Sequence, residues 1–417
     1  MTKLAINGGK PVFDTKIKTH FPWPIISDSV KKAVLDQIDQ DVSIYNRSGI
    51  FEEFEDKFAQ LHNKKYALLT SSGTAALHSM FVGINLQPGD EVICPAYTFY
   101  ATVTPLLQTG AIPVLCDADE EDGNIDPREI EKKITNKTKA VIVTHMWGRA
   151  CKMDEIRAIC QKHSLKLLED CSHAHGGEYK GEKLGTFGDA AAWSLQGQKI
   201  ITGGEGGIIL TDNQEIYIKA LLLGHYNKRC KQEIDVNHKY YKYAVTGMGL
   251  KLRAHPLAIA IANEQLSHLE EWKTQKQKYA KLLTDNLSSI PGIITPILKE
   301  GESPAWYAYI IRYDSKQLNN LPVEKFFEAL QAEGCVDADM PGSTCPLNTL
   351  PLFQTPGELF PEYESKFGYS VGDFPKAEEF FQRAIKIPVW VNEADLPIVE
   401  KYIEAIKKVV HNYKELI

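Results

Sequence analysis

The chain has 417 residues, of which 43% are hydrophobic and 24% charged, and its 47 Lys and Arg against 54 Asp and Glu give a formal charge of −7. This composition is ordinary for a globular protein and excludes a disordered, collagen-like or coiled-coil chain. The acidic balance argues against general binding of nucleic acid or of an anionic membrane surface. Apolar runs are strand-sized, well short of the roughly 20 residues that span a bilayer. The N-terminus lacks the apolar segment of a secretory signal.

The eight cysteines form no C-x-x-C pair, and no cluster of Cys and His has the spacing of zinc ligands. They are therefore interpreted as reduced, mostly structural thiols in a cytoplasmic protein without a metal site.

Short apolar stretches alternate with helical stretches in the first half of the chain. The predicted strands are 65–70, 91–94, 112–116, 140–144 and 166–169, and the predicted helices are 75–82, 99–108, 127–134 and 153–163. This alternation predicts an α/β domain whose sheet is mainly parallel and is covered by helices on both faces.

The pattern changes after residue 254. Leu269, Trp272, Tyr279 and Leu283 fall at helical spacing and predict a long helix that leaves the first domain. A strand at 306–312 and helices at 323–333 and 395–413 are predicted to follow. We therefore predict a large domain over residues 1–269 and a smaller α+β domain over 270–417. Within the latter, residues 337–374 are rich in Pro, Gly, Ser and Thr, which predicts a long functional loop.

Four groups of residues fall at strand ends, where parallel sheets bind ligands. The first is residues 71–76 (SSGTAA), where small residues and a hydroxyl open a helix. Free N–H groups at that helix start suit a phosphate. An ordinary N-cap by Ser72 or Thr74 is the alternative. The second group contains Asp170 at the end of an apolar strand, where a carboxylate is costly without a cationic partner such as a protonated ring nitrogen. Alternatively, Asp170 caps the following turn. His173, nearby, either contacts a ligand or has a structural role.

The third group is the strand that ends at Ser194, followed five positions later by Lys199 and then by a stretch with four glycines around Glu205. A desolvated lysine has a lowered pKa and suits Schiff-base chemistry, whereas a lysine considered alone is more often solvated. The fourth group is residues 97–102 (YTFYAT), in which an aromatic ring either stacks on a planar cofactor or packs in the core. Together the four groups predict a pyridoxal phosphate site.

The stretches SSGTAAL, GDEVICPAYTF, LLEDCSHAHG and GTFGDAAAWS, with the lysine and GEGG that follow, occur in an order that resembles the DegT/DnrJ/EryC1/StrS family of sugar aminotransferases. The resemblance extends from LAINGGKPV near the start to KIPVWVNEADLPIVEKYIEAI near the end. It implies a fold-type I pyridoxal-phosphate-dependent transferase, with a mainly parallel, seven-stranded type of sheet between helices and a smaller C-terminal domain. It also implies a homodimer with shared active sites.

The family's functional positions carry over as follows. Lys199 is expected to form the Schiff base and to move the substrate proton, with Asp170 at the pyridine nitrogen, Phe99 stacked on the ring and His173 near the phenolic oxygen. Gly73, Thr74 and Ser194 are expected to bind the phosphate.

Two stretches depart from the family pattern. Leu195-Gln196 follows Ser194 where the family has S-F-H, and GMGLK at 247–251 lacks the Asn of a G-x-N-x-R stretch that reaches the partner's phosphate. Lys251 is a candidate to replace that contact from the partner subunit, or it is a surface lysine. Asn227 and Arg229 are candidate substrate contacts, or part of a solvated basic loop.

The resemblance implies ping-pong transfer of an amino group from glutamate or glutamine to a keto-sugar, with a nucleotide-linked keto-sugar favoured. A glutamine-dependent reaction with a keto-cyclitol of the scyllo-inosose type is the alternative, because residues 4–11 resemble that branch. A dehydratase and a regulatory protein without turnover are lesser alternatives, against which the presence of Lys199 argues.

Overall fold

The computed structural model describes residues 3–13 and 23–417. Part of the N-terminal stretch on which the absence of a secretory signal was predicted, residues 1–2 and 14–16, lies outside these ranges. No helix in the described ranges is long and apolar enough to cross a membrane.

The helices, numbered in chain order, are α1 Asp28–Gln40, α2 Gly49–Leu61, α3 Gly73–Gly83, α4 Pro127–Lys133, α5 Met153–Lys162, α6 Gln214–Gly224, α7 Lys228–Glu233, α8 Pro256–Leu266, α9 Leu269–Leu287, α10 Val323–Ala332, α11 Pro351–Gln354, α12 Pro375–Arg383 and α13 Leu396–His411. The strands are β1 Tyr66–Thr70, β2 Glu91–Pro95, β3 Tyr97–Phe99, β4 Ile112–Cys116, β5 Thr138–Thr144, β6 Lys166–Asp170, β7 Glu178–Tyr179, β8 Glu182–Lys183, β9 Ala190–Ser194, β10 Gly207–Thr211, β11 Ile293–Ile294, β12 Glu302–Ser303, β13 Tyr309–Tyr313, β14 Thr344–Pro346 and β15 Ala384–Ile387.

The central sheet has seven strands in the order β1–β10–β9–β6–β5–β2–β4. The neighbours from β9 to β4 are parallel, whereas β10 is antiparallel to both β1 and β9. β1 therefore runs in the same direction as the parallel strands, and only β10 runs against them. The predicted α/β class with a mainly parallel sheet is confirmed. The strands are buried on both faces between two apolar clusters, as expected for a sheet covered by helices.

The helix predicted over 99–108 is wrong. Residues 97–99 form strand β3, and the chain continues as two 3₁₀ turns over Tyr100–Thr102 and Thr104–Thr109. Phe99 pairs with Thr344 of β14, which holds its backbone extended, and Pro105 lacks the N–H that a regular helix would need. This β3–β14 pairing brings the predicted loop of residues 337–374 back onto the large sheet.

The small sheet β11–β13–β15 has a separate apolar core, here called the second core, to which α9, α10 and α13 contribute. Leu4 and Phe13 pack into this core, so the described N-terminal residues lie against the C-terminal elements. Phe353, Phe374 and Phe380, although late in the chain, pack in a cluster of the large sheet. The domain boundary at residues 269 and 270 stays a prediction.

Candidate functional site

A cleft of about 610 Å³ opens where β1, β2, β5, β6 and β9 end at one edge of the central sheet. Its floor comes from the segments that follow these strands. Its far wall comes from the second half of the chain, with Tyr307, residues 339–344 and Lys386. The structure therefore brings together seven of the predicted residues, which are Gly73, Thr74, Phe99, Asp170, His173, Ser194 and Lys199.

The start of α3 forms a cradle suited to a phosphate. Ser72 caps the helix, its hydroxyl accepting a hydrogen bond from the N–H of Ala75 at 3.0 Å, so the N-cap predicted as an alternative is present as well. A Cβ on Gly73 would lie 2.6 Å from Cβ of Ser194, so only glycine allows the helix to approach the end of β9 this closely. The remaining N–H groups and the helix dipole favour an anion here.

Asp170 is a buried carboxylate at the end of β6, 3% exposed. It accepts hydrogen bonds from the Thr102 hydroxyl at 2.7 Å and from the N–H of Ser172 at 3.0 Å. The Thr102 hydroxyl is in turn hydrogen-bonded to that of Thr98. No Lys, Arg or His in the described ranges forms an ion pair with this carboxylate. A buried carboxylate that is held by neutral donors and faces a cleft fits a protonated pyridine nitrogen.

His173 contacts two aromatic rings, Tyr307 and Trp147, which also contact each other. The Tyr307 ring lies parallel to the imidazole, with centroids 4.0 Å apart and an interplanar angle of 3°, and the Trp147 ring stacks at 5.5 Å. Burial and the charge of Lys199 lower the pKa of His173 well below its usual range. Nδ1 of His173 has no hydrogen-bond partner among the described residues. The side chain is therefore a neutral ring with an open polar atom.

Lys199 follows β9 by five residues and reaches into the same cleft. Its Nζ lies 4.8 Å from the centroid of the Tyr307 ring. Burial lowers the pKa of this amine to about 8, although the charge of Asp170 raises it. The backbone is held as well, because the indole N–H of Trp23 donates to the carbonyl of Lys199 at 3.0 Å. A positioned amine with a lowered pKa is a good nucleophile for an aldehyde.

The other three candidates do not line this cleft. Arg229 is 1% exposed and pairs with Glu55 at 2.8 Å and Glu233 at 2.6 Å, so its guanidinium is used inside the chain. The alternative of a solvated basic loop is wrong for Arg229. Asn227 and Lys251 are exposed and lie outside the cleft of their own subunit. The predicted contact of Lys251 with a partner subunit stays a prediction.

Sequence reasoning missed Trp147, Tyr307 and Lys386 as cleft residues. A signal existed for Trp147, because it follows the end of β5 and precedes a glycine. A Cβ on Gly148 would lie 2.8 Å from the N–H nitrogen of Trp306, and the φ of Gly148 is +85°. This glycine lets the chain before Tyr307 dock on the large sheet. No sequence signal marks that long-range contact.

His145, Glu169 and Cys171 form a buried group, of which Glu169 and Cys171 are next to Asp170 in the sequence, with potential metal-binding atoms within 4.8 Å of one another. Glu169 already accepts hydrogen bonds from the N–H groups of Gly185, Phe187 and Gly188, and from His145 Nε2 at 3.1 Å. The carboxylate is therefore saturated by donors that hold the loop after β8.

Comparison with known proteins gives one consistent result. The model of the DegT/DnrJ/EryC1/StrS aminotransferase family matches residues 27–401. A putative L-glutamine:3-amino-2,3-dideoxy-scyllo-inosose aminotransferase of Micromonospora echinospora is 30% identical, over 98% of this chain and 97% of the relative. A GDP-perosamine synthase of Vibrio cholerae is 28% identical, over 90% and 95%. The solved structure of an aminotransferase from Psychrobacter cryohalolentis is similar with a TM-score of 0.82 and 26% identity, covering 94% of this chain and 98% of that one.

Proposed function

The chain belongs to the DegT/DnrJ/EryC1/StrS aminotransferase family, and we propose that it moves the amino group of glutamate or glutamine to a keto-sugar linked to a nucleotide. This family membership confirms the aminotransferase activity and the pyridoxal phosphate cofactor that the sequence predicts. The donor and the acceptor are the proposed part. One observation carries the proposal: Lys199, an amine with a lowered pKa, and Asp170, a buried carboxylate with no ion pair to any described residue, face one cleft.

The residues of the cleft fit pyridoxal phosphate, and each has a separate role in binding or using it. When bound, the cofactor supplies an aldehyde that takes the amino group and a ring that accepts electrons released at the substrate carbon. In the proposal, Asp170 keeps the proton on the pyridine nitrogen. The N–H groups at Gly73 and Thr74, with the hydroxyl of Ser194, bind the phosphate. Phe99, which lines the cleft, would cover one face of the ring.

Lys199 has two tasks in the proposal. It provides the covalent attachment, and after release it takes a proton at one carbon and returns it at another. Its pKa of about 8 suits both directions of proton transfer near neutral pH. His173 is neutral, so it orients polar atoms by hydrogen bonding and adds no charge. Tyr307 excludes water from the side of the cleft on which His173 and Lys199 lie.

The size and polarity of the cleft support a sugar acceptor. Gln196, Gln198, Glu205 and Ser343 line it beyond the cofactor residues, and their polar groups match sugar hydroxyls. The similarity to a GDP-perosamine synthase supports a nucleotide-linked acceptor. The keto-cyclitol alternative is supported by the M. echinospora relative, which matches 98% of the chain.

A ¹⁵N-labelled donor tests the proposal. The enzyme is given glutamate or glutamine labelled with ¹⁵N at the α-amino group, together with a nucleotide-linked keto-sugar or with scyllo-inosose. The masses of the products are then measured by mass spectrometry. The proposal expects ¹⁵N in the nucleotide-linked product. Label in the cyclitol alone selects the alternative, and loss of water without label contradicts aminotransfer and indicates a dehydratase.

The proposal includes a cytoplasmic homodimer. In residues 226–250 the large side chains of Tyr226, Tyr243, Val245 and Met248 are exposed. An exposed apolar surface of this kind supports contact with a partner subunit. All eight cysteines are buried and free, which supports a reducing compartment. Sedimentation should give a dimer, and Lys251→Met should weaken cofactor binding if Lys251 reaches the partner's phosphate. A monomer with full cofactor affinity would contradict this part.

A further inference from the structure

We propose that Lys386 binds the carboxylate of the amino donor and so selects an amino acid as the first substrate. The inference rests on the proposed function, because it names a contact for the donor at the same site.

Lys386 is fixed at the rim of the cleft by its backbone. It lies in β15, and its N–H donates to the carbonyl of Asp339 at 2.7 Å while its carbonyl accepts from the N–H of Asp339 at 3.0 Å. Both residues line the cleft. Strand pairing therefore fixes the backbone from which the Lys386 side chain extends, as a selective binding group requires.

Of the cationic side chains that line the cleft, Lys386 remains available to bind an anionic substrate. Among its described lining residues, only Lys199 and Lys386 carry ammonium groups. Lys199 is used by the reaction itself, and His173 is neutral. Lys386 acts electrostatically on both Lys199 and His173, lowering the pKa of each. Its charge is thus felt at the reacting centre.

The donor's chemistry requires such a cation. The α-carboxylate of an amino acid is attached to the carbon that reacts, so it has to enter the cleft and lose water there. A carboxylate that loses water needs an opposite charge or several hydrogen-bond donors. Lys386 meets this need from the wall that faces Lys199.

The present partner of Lys386 is easily replaced. Asp339 lies 3.4 Å from its Nζ, and the Asp339 side chain is 60% exposed against 26% for Lys386. An exposed ion pair of this kind contributes little. Asp339 therefore keeps the rim neutral until a donor carboxylate takes its place.

The test compares Lys386→Met, Lys386→Arg and Asp339→Asn in the cofactor-loaded enzyme. Stopped-flow bleaching of the cofactor is followed over a range of glutamate and glutamine concentrations. We expect Lys386→Met to raise the donor concentration for half-maximal rate about tenfold or more, as for loss of a charge-assisted contact. Lys386→Arg should restore most of the affinity, and Asp339→Asn should lower the half-maximal concentration. Lys152→Met is the matched control, because Lys152 is 29% exposed and paired with Asp119 but lies outside the cleft.

A second measurement does not depend on turnover. Calorimetry gives the dissociation constant of glutarate, a dicarboxylate without an amino group, and Lys386→Met should raise it by a similar factor. Unchanged donor and glutarate affinities in Lys386→Met overturn the inference. A defect confined to the step with a nucleotide-linked acceptor also overturns it, and indicates that Lys386 binds phosphate. If neither donor bleaches the unmodified enzyme, the proposed donors fail, and glutarate binding still decides the role of Lys386.

Discussion

The pKa of the Lys199 amine gives a prediction that can be worked out from the structure. Burial, opposed by the charge of Asp170 and aided by that of Lys386, lowers this pKa from the ordinary 10.5 to about 8. At pH 7 about 9% of the Lys199 amines are then neutral, against about 0.03% for an ordinary lysine. The site therefore holds roughly 300 times more reactive amine at neutral pH.

Competitive labelling of the cofactor-free protein measures this directly. Acetic anhydride is added at a series of pH values, with Nα-acetyl-lysine in the same tube as the reference amine, and the Lys199 peptide is quantified by mass spectrometry. We expect labelling of Lys199 to rise about tenfold from pH 7 to pH 9 and then to level off, with its midpoint near pH 8. Labelling that rises in parallel with the reference amine through pH 10 would refute the reasoning.

Two charge variants sharpen the test because they act in opposite directions. Asp170→Asn removes the charge that raises the pKa of Lys199, so its midpoint should fall. Lys386→Met removes a charge that lowers it, so its midpoint should rise. Lys152→Met should leave it unchanged. Shifts of the same sign in the first two variants would contradict the assignment of these charges.

Three further predictions concern the cradle, the second core and the buried arginine. Gly73→Ala places a methyl group 2.6 Å from Cβ of Ser194, so it should cost about 1–3 kcal/mol and weaken cofactor binding in equilibrium dialysis; unchanged affinity would contradict the cradle. Burial lowers the pKa of Lys276 from 10.5 to about 7. Between these values the unfolded chain binds more protons, so this group makes stability rise with pH by up to about 1.4 kcal/mol per unit. Urea unfolding from pH 7 to pH 9 should show a smaller rise in the free energy of unfolding for Lys276→Met than for the unmodified protein. Equal slopes against pH in the two proteins would refute this prediction. Arg229→Met leaves the buried Glu55 with Arg47 as its remaining cationic partner, at 3.3 Å, and should destabilise the fold by up to about 3–5 kcal/mol; full stability with a raised KM would instead support the predicted substrate contact.

Much of the fold follows from local sequence patterns. The strands that end at Thr144 and Asp170 are apolar runs bounded by polar residues, and helix α5 between them carries an apolar stripe, so each element is encoded within its own segment. The residue that follows such a strand is placed at the ligand edge by topology alone. This is why the sequence alone identifies Asp170, Ser194 and Lys199 as candidates.

Contacts between distant segments could not be predicted in this way. The extended backbone at Phe99 depends on pairing with Thr344, and Tyr307 reaches His173 only because the chain before it docks on Gly148. The sequence predicts a substrate contact or a solvated basic loop for Arg229, because its partner Glu55 lies 174 residues away. In each case a long-range partner decides the environment of the residue, and local sequence patterns do not reveal that partner.

The central claim is that Lys199 and its cleft carry out aminotransfer with pyridoxal phosphate. Its most direct test is the visible spectrum of the enzyme mixed with the cofactor, then with glutamate or glutamine, and then with a keto acceptor, alongside Lys199→Ala. We predict a yellow band that a donor bleaches and an acceptor restores in the unmodified enzyme, and no covalently attached cofactor in the variant. A band that forms equally in Lys199→Ala, or that neither donor changes, would contradict the account.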